Sequence, residues 1–132
     1  MTELIIDNRT LSTVIASQSR WRLNSLSAVV AAMPNVTIIG RVQDVATLLE
    51  GMSASRADLV ILDTSMTNGD LASIIDRVKT LSPATAVIVI AQYRDGHYAM
   101  AEALADAVLL DGFPTEALAD IIKHLGHSKK IQ

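Results

Sequence analysis

The chain has 132 residues, half of them apolar and 19% charged, which suits one packed domain and is too apolar for a disordered one. A net charge of −3 argues against broad nucleic-acid binding, and the absence of cysteine excludes disulfides, thiol catalysis and cysteine-ligated metals. Aromatic residues make up 3%, so the core must be built from aliphatic side chains and alanine.

Residues 1–11 read as an N-terminal extension. Within it Leu4-Ile5-Ile6 fits either a short extra strand or an apolar patch on an arm, and Asp7-Asn8-Arg9-Thr10 reads as a turn. Met1-Thr2-Glu3-Leu4 has neither a basic segment nor a long apolar one, so no signal peptide is expected. The longest apolar runs are strand-sized, far short of a membrane span, and the expected compartment is the cytoplasm. Thr13-Val14-Ile15-Ala16 predicts the first strand, with Ser17-Gln18-Ser19-Arg20 as its exit loop. From Trp21 to Met33, the residues Trp21, Leu23, Leu26, Val29, Val30 and Met33 recur at helical spacing; Trp21 reads as a core anchor sooner than as a ligand platform, with a first-turn position that also allows exposure. Pro34-Asn35 stops that helix, and Val36 to Gly40 predicts the second strand. Asp44 is a good N-cap for a second helix with Val45, Leu48, Leu49 and Met52 inward.

The stretch Ala57-Asp58-Leu59-Val60-Ile61-Leu62-Asp63 is an unbroken apolar run ending at a carboxylate, as a strand buried on both faces would read. An unpaired carboxylate inside a core is costly, so Asp63 is expected where the strand leaves the core. A loop to Asp70 leads to a third helix with Leu71, Ile74, Ile75, Val78 and Leu81 inward, ended by Ser82-Pro83. Ala86 to Ala91 is apolar throughout and reads as a central strand. Gln92 to Gly96 is its exit, His97 to Ala105 a short helix, and Ala107 to Leu110 the fifth strand, ending at Asp111-Gly112. Phe113-Pro114 opens the last helix and Gly126 is expected to end it, leaving residues 127–132 as a polar tail. Strands alternating with helices predict a doubly wound five-stranded parallel α/β sheet of flavodoxin-like order 2-1-3-4-5, here over residues 12–126.

In such a sheet ligands and chemistry collect at the carboxyl ends of the strands, which here read Ser17-Gln18, Asp63, Ala91-Gln92 and Asp111-Gly112. The segment from Thr13 to Leu125 resembles the receiver domain of two-component response regulators. The resemblance rests on Ala57 to Asp63 with Met66, on Leu109-Leu110 followed by Pro114-x-Glu116-x-Leu118, and on Met33-Pro34-Asn35 with Val36 through Gly40. It implies that Asp63 is the phosphoacceptor for a histidine kinase. It also implies four supporting features, and this sequence departs from each. The acidic pair that holds Mg²⁺ is replaced by the neutral Ser17 and Gln18. Ala91 stands where a hydroxyl would bind the phosphoryl group, Asp111 stands where a lysine would pair with it, and Val108 stands where an aromatic ring would switch. Phosphoryl transfer depends on positioned positive charge, and Asp111 works against it. Arg20, Arg22 and Arg94 lie in or beside the rim loops and are the candidate replacement cations.

The expectation is therefore a degenerate receiver, or pseudo-receiver, that signals through protein–protein contact without phosphorylation. Its expected partners are a histidine kinase or an output protein, and a second copy through the fourth helix, fifth strand and fifth helix, with no nucleic acid and no membrane. The alternative is a conventional receiver phosphorylated on Asp63, with Mg²⁺ held by Asp63, the carbonyl of Ser65 and water, regulating a transcriptional output. Outside that alternative no cofactor or metal is expected, and no catalytic residue. Asp63 and Asp111 stand two strands apart and make a poor metal cage, no histidine base accompanies Ser17, Ser19 or Ser65, and His97, His124 and His127 have no convincing ligand spacing. The structural reading of Asp63, as a cap that accepts backbone N–H bonds from the following loop, outweighs the phosphoacceptor reading.

Overall fold

The computed structural model describes residues 10–66 and 70–131, with side chains through residue 125. Five strands alternate with five helices: β1 (Leu11–Ala16), α1 (Arg20–Ala31), β2 (Val36–Val42), α2 (Val45–Ala54), β3 (Leu59–Asp63), α3 (Leu71–Leu81), β4 (Ala86–Ala91), α4 (Gly96–Leu104), β5 (Ala107–Leu110) and α5 (Thr115–Ile131). All strand pairs are parallel, and the sheet order is β2-β1-β3-β4-β5, as predicted. The central strands β3 and β4 are buried at every residue, which is why they read as continuous apolar runs with no alternation.

Two aliphatic layers cover the sheet. One packs Val14, Val60, Leu62, Val87 and Val89 against Leu48 and Met52 of α2 and Leu71, Ile74 and Val78 of α3. The other packs Ile15, Leu59, Ile61, Ile88 and Ile90 against Leu23, Leu26 and Val30 of α1 and Leu118 and Ile122 of α5. Helix starts are capped by side chains that accept orphan N–H groups: Ser19 for α1, Asp44 for α2, Asp70 for α3 and Asp95 for α4. At the amino end of the sheet two aspartates fix strand register. Asp58 Oδ2 accepts from Ser12 N (2.9 Å), tying β3 to β1. Asp106 Oδ2 accepts from Val87 N (2.7 Å) and from Lys79 Nζ (2.6 Å), tying β5 to β4 and to the end of α3.

Strand β2 carries the one register shift recorded against β1. Thr13 pairs with Ile38 and Val14 with Gly40, so Ile39 is an extra residue in a bulge. Before the bulge Val36 and Ile38 face the α1 layer; after it Val42 faces the α2 layer. One inserted residue moves the strand's apolar side from one face of the sheet to the other. That shift carries the strand past the predicted end at Gly40 to Val42, through the polar Arg41, whose guanidinium is held by Asn24 of α1.

Other boundaries differ from expectation for local reasons. β1 begins at Leu11, inside the stretch assigned to the extension, and the Leu4-Ile5-Ile6 segment lies outside the described residues. α5 does not stop at Gly126 but continues to Ile131, where a polar tail was expected. A glycine inside a helix costs about 1 kcal/mol, too little to stop a helix followed by residues with ordinary helix propensity. Trp21 is 75% exposed and is no core anchor. The buried face of α1 is Leu23, Leu26, Ser27 and Val30, and Trp21 belongs to the exposed stripe that continues through Ser25 and Ala28.

The bulge predicts opposite fates for two adjacent isoleucines. Ile39→Ala should change stability by no more than about 0.5 kcal/mol, whereas Ile38→Ala, which opens space under α1, should cost about 2 kcal/mol or more. Urea unfolding of the two variants checks this.

Candidate functional site

Asp63 ends β3 at the carboxyl rim, yet it has no solvent exposure at all. The expectation that it would sit where the strand leaves the core is thus corrected: the carboxylate is buried, and it is buried because it is paired. Its Oδ2 accepts from Ser17 Oγ (2.7 Å), from Arg22 Nε (2.7 Å) and from Ser65 Oγ (3.1 Å), and its Oδ1 accepts from Ser65 N (3.3 Å). A buried carboxylate is tolerated when it is hydrogen-bonded and its charge is balanced; here Oδ2 accepts three bonds, Oδ1 one, and Arg22 balances the charge.

Each donor comes from a place the local sequence dictates. Ser17 is the first residue beyond β1, fully buried, and its Oγ also accepts from Ser19 N (3.2 Å). Ser65 lies in the short 3₁₀ turn Thr64–Met66 that follows β3, close enough for both its amide and its hydroxyl to reach back to Asp63. The expected loop cap is therefore present, through Ser65 N. Gln18 N donates to Ser65 Oγ (3.1 Å), sewing the β1 exit to the β3 exit. The side chain of Gln18 donates and accepts no bond among the described contacts, and its residue is exposed.

Arg22 is the cation of the site. It stands in the first turn of α1, four residues before Leu26 and eight before Val30, at the rim end of the helix's buried stripe. Its guanidinium is 13% exposed and joins two carboxylates: Nε meets Asp63 at 2.7 Å and Nη1 meets Asp111 at 2.9 Å. Burial pulls the guanidinium's pKa down, but the hydrogen bonds and charges of Asp111 and Asp63 outweigh it and hold the pKa above the ordinary arginine value. The guanidinium is therefore charged at every accessible pH. Of the other two candidate cations, Arg20 is exposed and Arg94 lies over the ring of Tyr98, 4.7 Å from its centroid.

The remaining rim positions fall as their types imply. Asp111 follows β5, is half exposed, and is aimed at Arg22 by the turn in which Gly112 takes φ +90°, a conformation that favours glycine. Ala91 is buried at the end of β4 and brings no donor; its carbonyl accepts from Asp111 N (2.8 Å). Val108 is half buried and packs against the layer formed by α2 and α3.

This donor set does not fit a resident Mg²⁺. A hard divalent cation needs several charged or carbonyl oxygens. Here Asp63 is committed to a guanidinium, Ser17 and Gln18 are neutral, and no group of three or more His, Asp or Glu residues converges among the described residues. The alternative ligands, Asp63 and the carbonyl of Ser65, supply one charged oxygen group, and that carboxylate already accepts from Ser65 N and Oγ.

No protein-family model matches the sequence, and no curated protein matches it significantly. Many solved structures share its fold. The signal receiver domain of an HD domain-containing protein from Pseudomonas fluorescens Pf-5 superposes with a TM-score of 0.82 at 16% identity, covering 94% of this chain and 100% of that one. The response regulatory domain of mrkE from Klebsiella pneumoniae gives 0.80 at 15% identity, over 92% of this chain and 100% of that one. The response regulator RcsB of Salmonella typhimurium gives 0.79 at 18% identity, over 90% of this chain, which spans only 62% of RcsB. The chain has the receiver fold.

Removing Arg22 should leave a buried charge without its partner. Arg22→Met is expected to lower stability by about 3 kcal/mol, and adding Asp63→Asn should recover most of that loss. Asp111→Asn alone should cost under about 1 kcal/mol, since its carboxylate is half exposed. Chemical denaturation of the three variants measures these differences.

Proposed function

We propose that this chain is a receiver-type signalling domain that works through protein–protein contact and does not depend on phosphorylation of Asp63. The observation that carries the reading is the Arg22 bridge, with Asp63 at 2.7 Å and Asp111 at 2.9 Å. A carboxylate attacks a phosphoryl donor with a free oxygen lone pair, in line, while cations neutralise the charge that develops. Here Oδ2 accepts three hydrogen bonds, one of them from a guanidinium that belongs to the chain itself, and Oδ1 accepts one from Ser65 N. A phosphoryl group would have to displace that guanidinium, meet the Asp111 carboxylate, and do so without a hydroxyl from position 91. In this reading the domain uses no cofactor, binds no Mg²⁺ and has no catalytic residue. It is cytoplasmic, and it contacts neither nucleic acid nor membrane; none of the helices among the described residues is long and apolar enough to cross a bilayer.

The contact face we propose is α4, β5 and α5, and the partner a second copy of the chain, with a histidine kinase or an output protein as further partners. β5 is an edge strand whose four residues are all half buried, and α4 exposes Met100 and Leu104 four residues apart on one side. The solved neighbours named above are response regulators or receiver domains, which supports a signalling role.

One observation favours a second reading. Asp63 stands at the carboxyl end of the central strand β3, the place where chemistry collects in such sheets, so a conventional receiver phosphorylated on Asp63 is the competing assignment.

Incubation with acetyl phosphate and Mg²⁺, followed by intact mass, separates the two. The expected result is no adduct; an adduct on the unaltered chain that disappears in Asp63→Asn would establish the second reading. Independently, size-exclusion chromatography with light scattering should show a dimer that Met100→Lys with Leu104→Lys converts to monomer. A monomer at high micromolar concentration before substitution would refute the contact face.

A further inference from the structure

We propose that Arg22 is a built-in clasp with a rigid inner leg and a soft outer leg, which holds the β5–α5 loop closed onto β3 without any exchangeable ligand. The proposal deepens the phosphorylation-independent reading of the same site and rests on it for the claim that the closed state is the working one. Three elements distant in sequence meet on one planar group: the first turn of α1 through Arg22, the end of β3 through Asp63, and the exit of β5 through Asp111. The inner leg is anchored. Asp63 is fully buried and is fixed on its other sides by Ser17 and by both donors of Ser65, so the guanidinium has little freedom to follow solvent. The outer leg reaches a carboxylate that is half exposed, where an ion pair is weak and screened by salt.

What the outer leg holds is the exit of an edge strand. β5 has four residues, none fully buried, and among the described residues it is paired on one side only. Beyond it, two backbone bonds define the turn: Asp111 N to Ala91 O (2.8 Å) and Phe113 N to Leu110 O (3.1 Å). Gly112, at φ +90°, lies between them. Phe113 then packs on the layer under α1 and α5, so the turn sets where α5 begins. A guanidinium can serve two carboxylates from two of its edges because it is planar and carries five donors; an ammonium is a compact point charge and cannot reproduce that fork. Arg22→Lys should therefore keep positive charge beside Asp63 while losing the tether to Asp111.

Amide hydrogen exchange tests the clasp residue by residue. In Asp111→Asn and in Arg22→Lys, exchange at the amides of Asp111 and Phe113 should rise by about three- to tenfold. The amides of β3 and of Ser65 should keep their rates. The double variant Arg22→Lys with Asp111→Asn should exchange no faster at those two amides than either single variant, because one tether is removed once. Unchanged rates at Asp111 and Phe113 in Asp111→Asn would overturn the proposal. So would a rise spread evenly over β3, Ser65 and the turn in Arg22→Lys, which would make Arg22 a charge partner of Asp63 and nothing more. Asp111→Asn alters a half-exposed side chain and should not unfold the domain, so the test does not hang on a fragile variant. An acetyl phosphate adduct on Asp63 would defeat the phosphorylation-independent reading while leaving the exchange result standing, so the two failures are distinguishable.

Discussion

A fully buried carboxylate at the end of a fully buried strand is the constraint on which the carboxyl rim depends. Asp63 cannot remain charged there without compensation, and the compensation draws in three separate elements. Ser17 supplies a hydroxyl from the exit of β1, Ser65 an amide and a hydroxyl from the turn after β3, and Arg22 a cation from α1. The start of α1 follows from this. Ser19 caps the helix through Arg22 N, and Ser17 Oγ accepts the Ser19 amide. These contacts at the start of the helix place the Arg22 side chain inward, while Arg20, two residues earlier, stays exposed. Packing of Leu23, Leu26 and Val30 fixes the rest of the helix on the sheet.

Sheet, topology and helix faces were largely legible because they rest on repeated, redundant features. A parallel strand covered on both faces must be apolar at every position, and the runs of β3 and β4 have no other reading at their length. The errors arose where one residue overrides a pattern. Counting Trp21 into the apolar face of α1 followed hydropathy instead of angle. Leu26 and Val30 lie four and eight residues from Arg22, so the helical stripe places Arg22 inward and turns Trp21 toward solvent. That spacing was available in the sequence and marks Arg22 as the α1 cation aligned with Leu26 and Val30. The burial of Asp63 was not available, because it depends on a donor forty-one positions away in the chain. Nor could the bulge at Ile39 be read, since an extra residue is invisible until the partner strand fixes the register.

Fold likeness and site chemistry separate for the same reason. The solved neighbours share the architecture at 15 to 18% identity. Aliphatic layers tolerate exchange among Val, Ile, Leu and Ala if volume and pattern are kept, so an architecture survives wide sequence change. A site does not, because a single side chain can invert its electrostatics. At this rim the carboxylate of Asp111 and the guanidinium of Arg22 have opposite charges and meet at 2.9 Å, and the pair closes on itself. The relevant comparison between this chain and its structural neighbours is the charge and reach of those two side chains, not the superposition of backbones.

A tethered cation differs from a bound one in its thermodynamics as well as in its identity. A metal or a phosphoryl group occupies a site according to its concentration, and the state it stabilises is populated in proportion to that occupancy. Arg22 is always present, and the entropy of ordering it is lost once, on folding, together with the rest of α1. Its bond to Asp63 thus contributes to global stability, while its bond to Asp111 remains open to competition from water and salt. The exposed leg leads to the turn of Asp111 and Gly112 and to the β5 edge behind it. A partner seated on β5 and α5 would meet a surface whose position is set from within the domain. Its affinity would carry no cost for selecting a minor state.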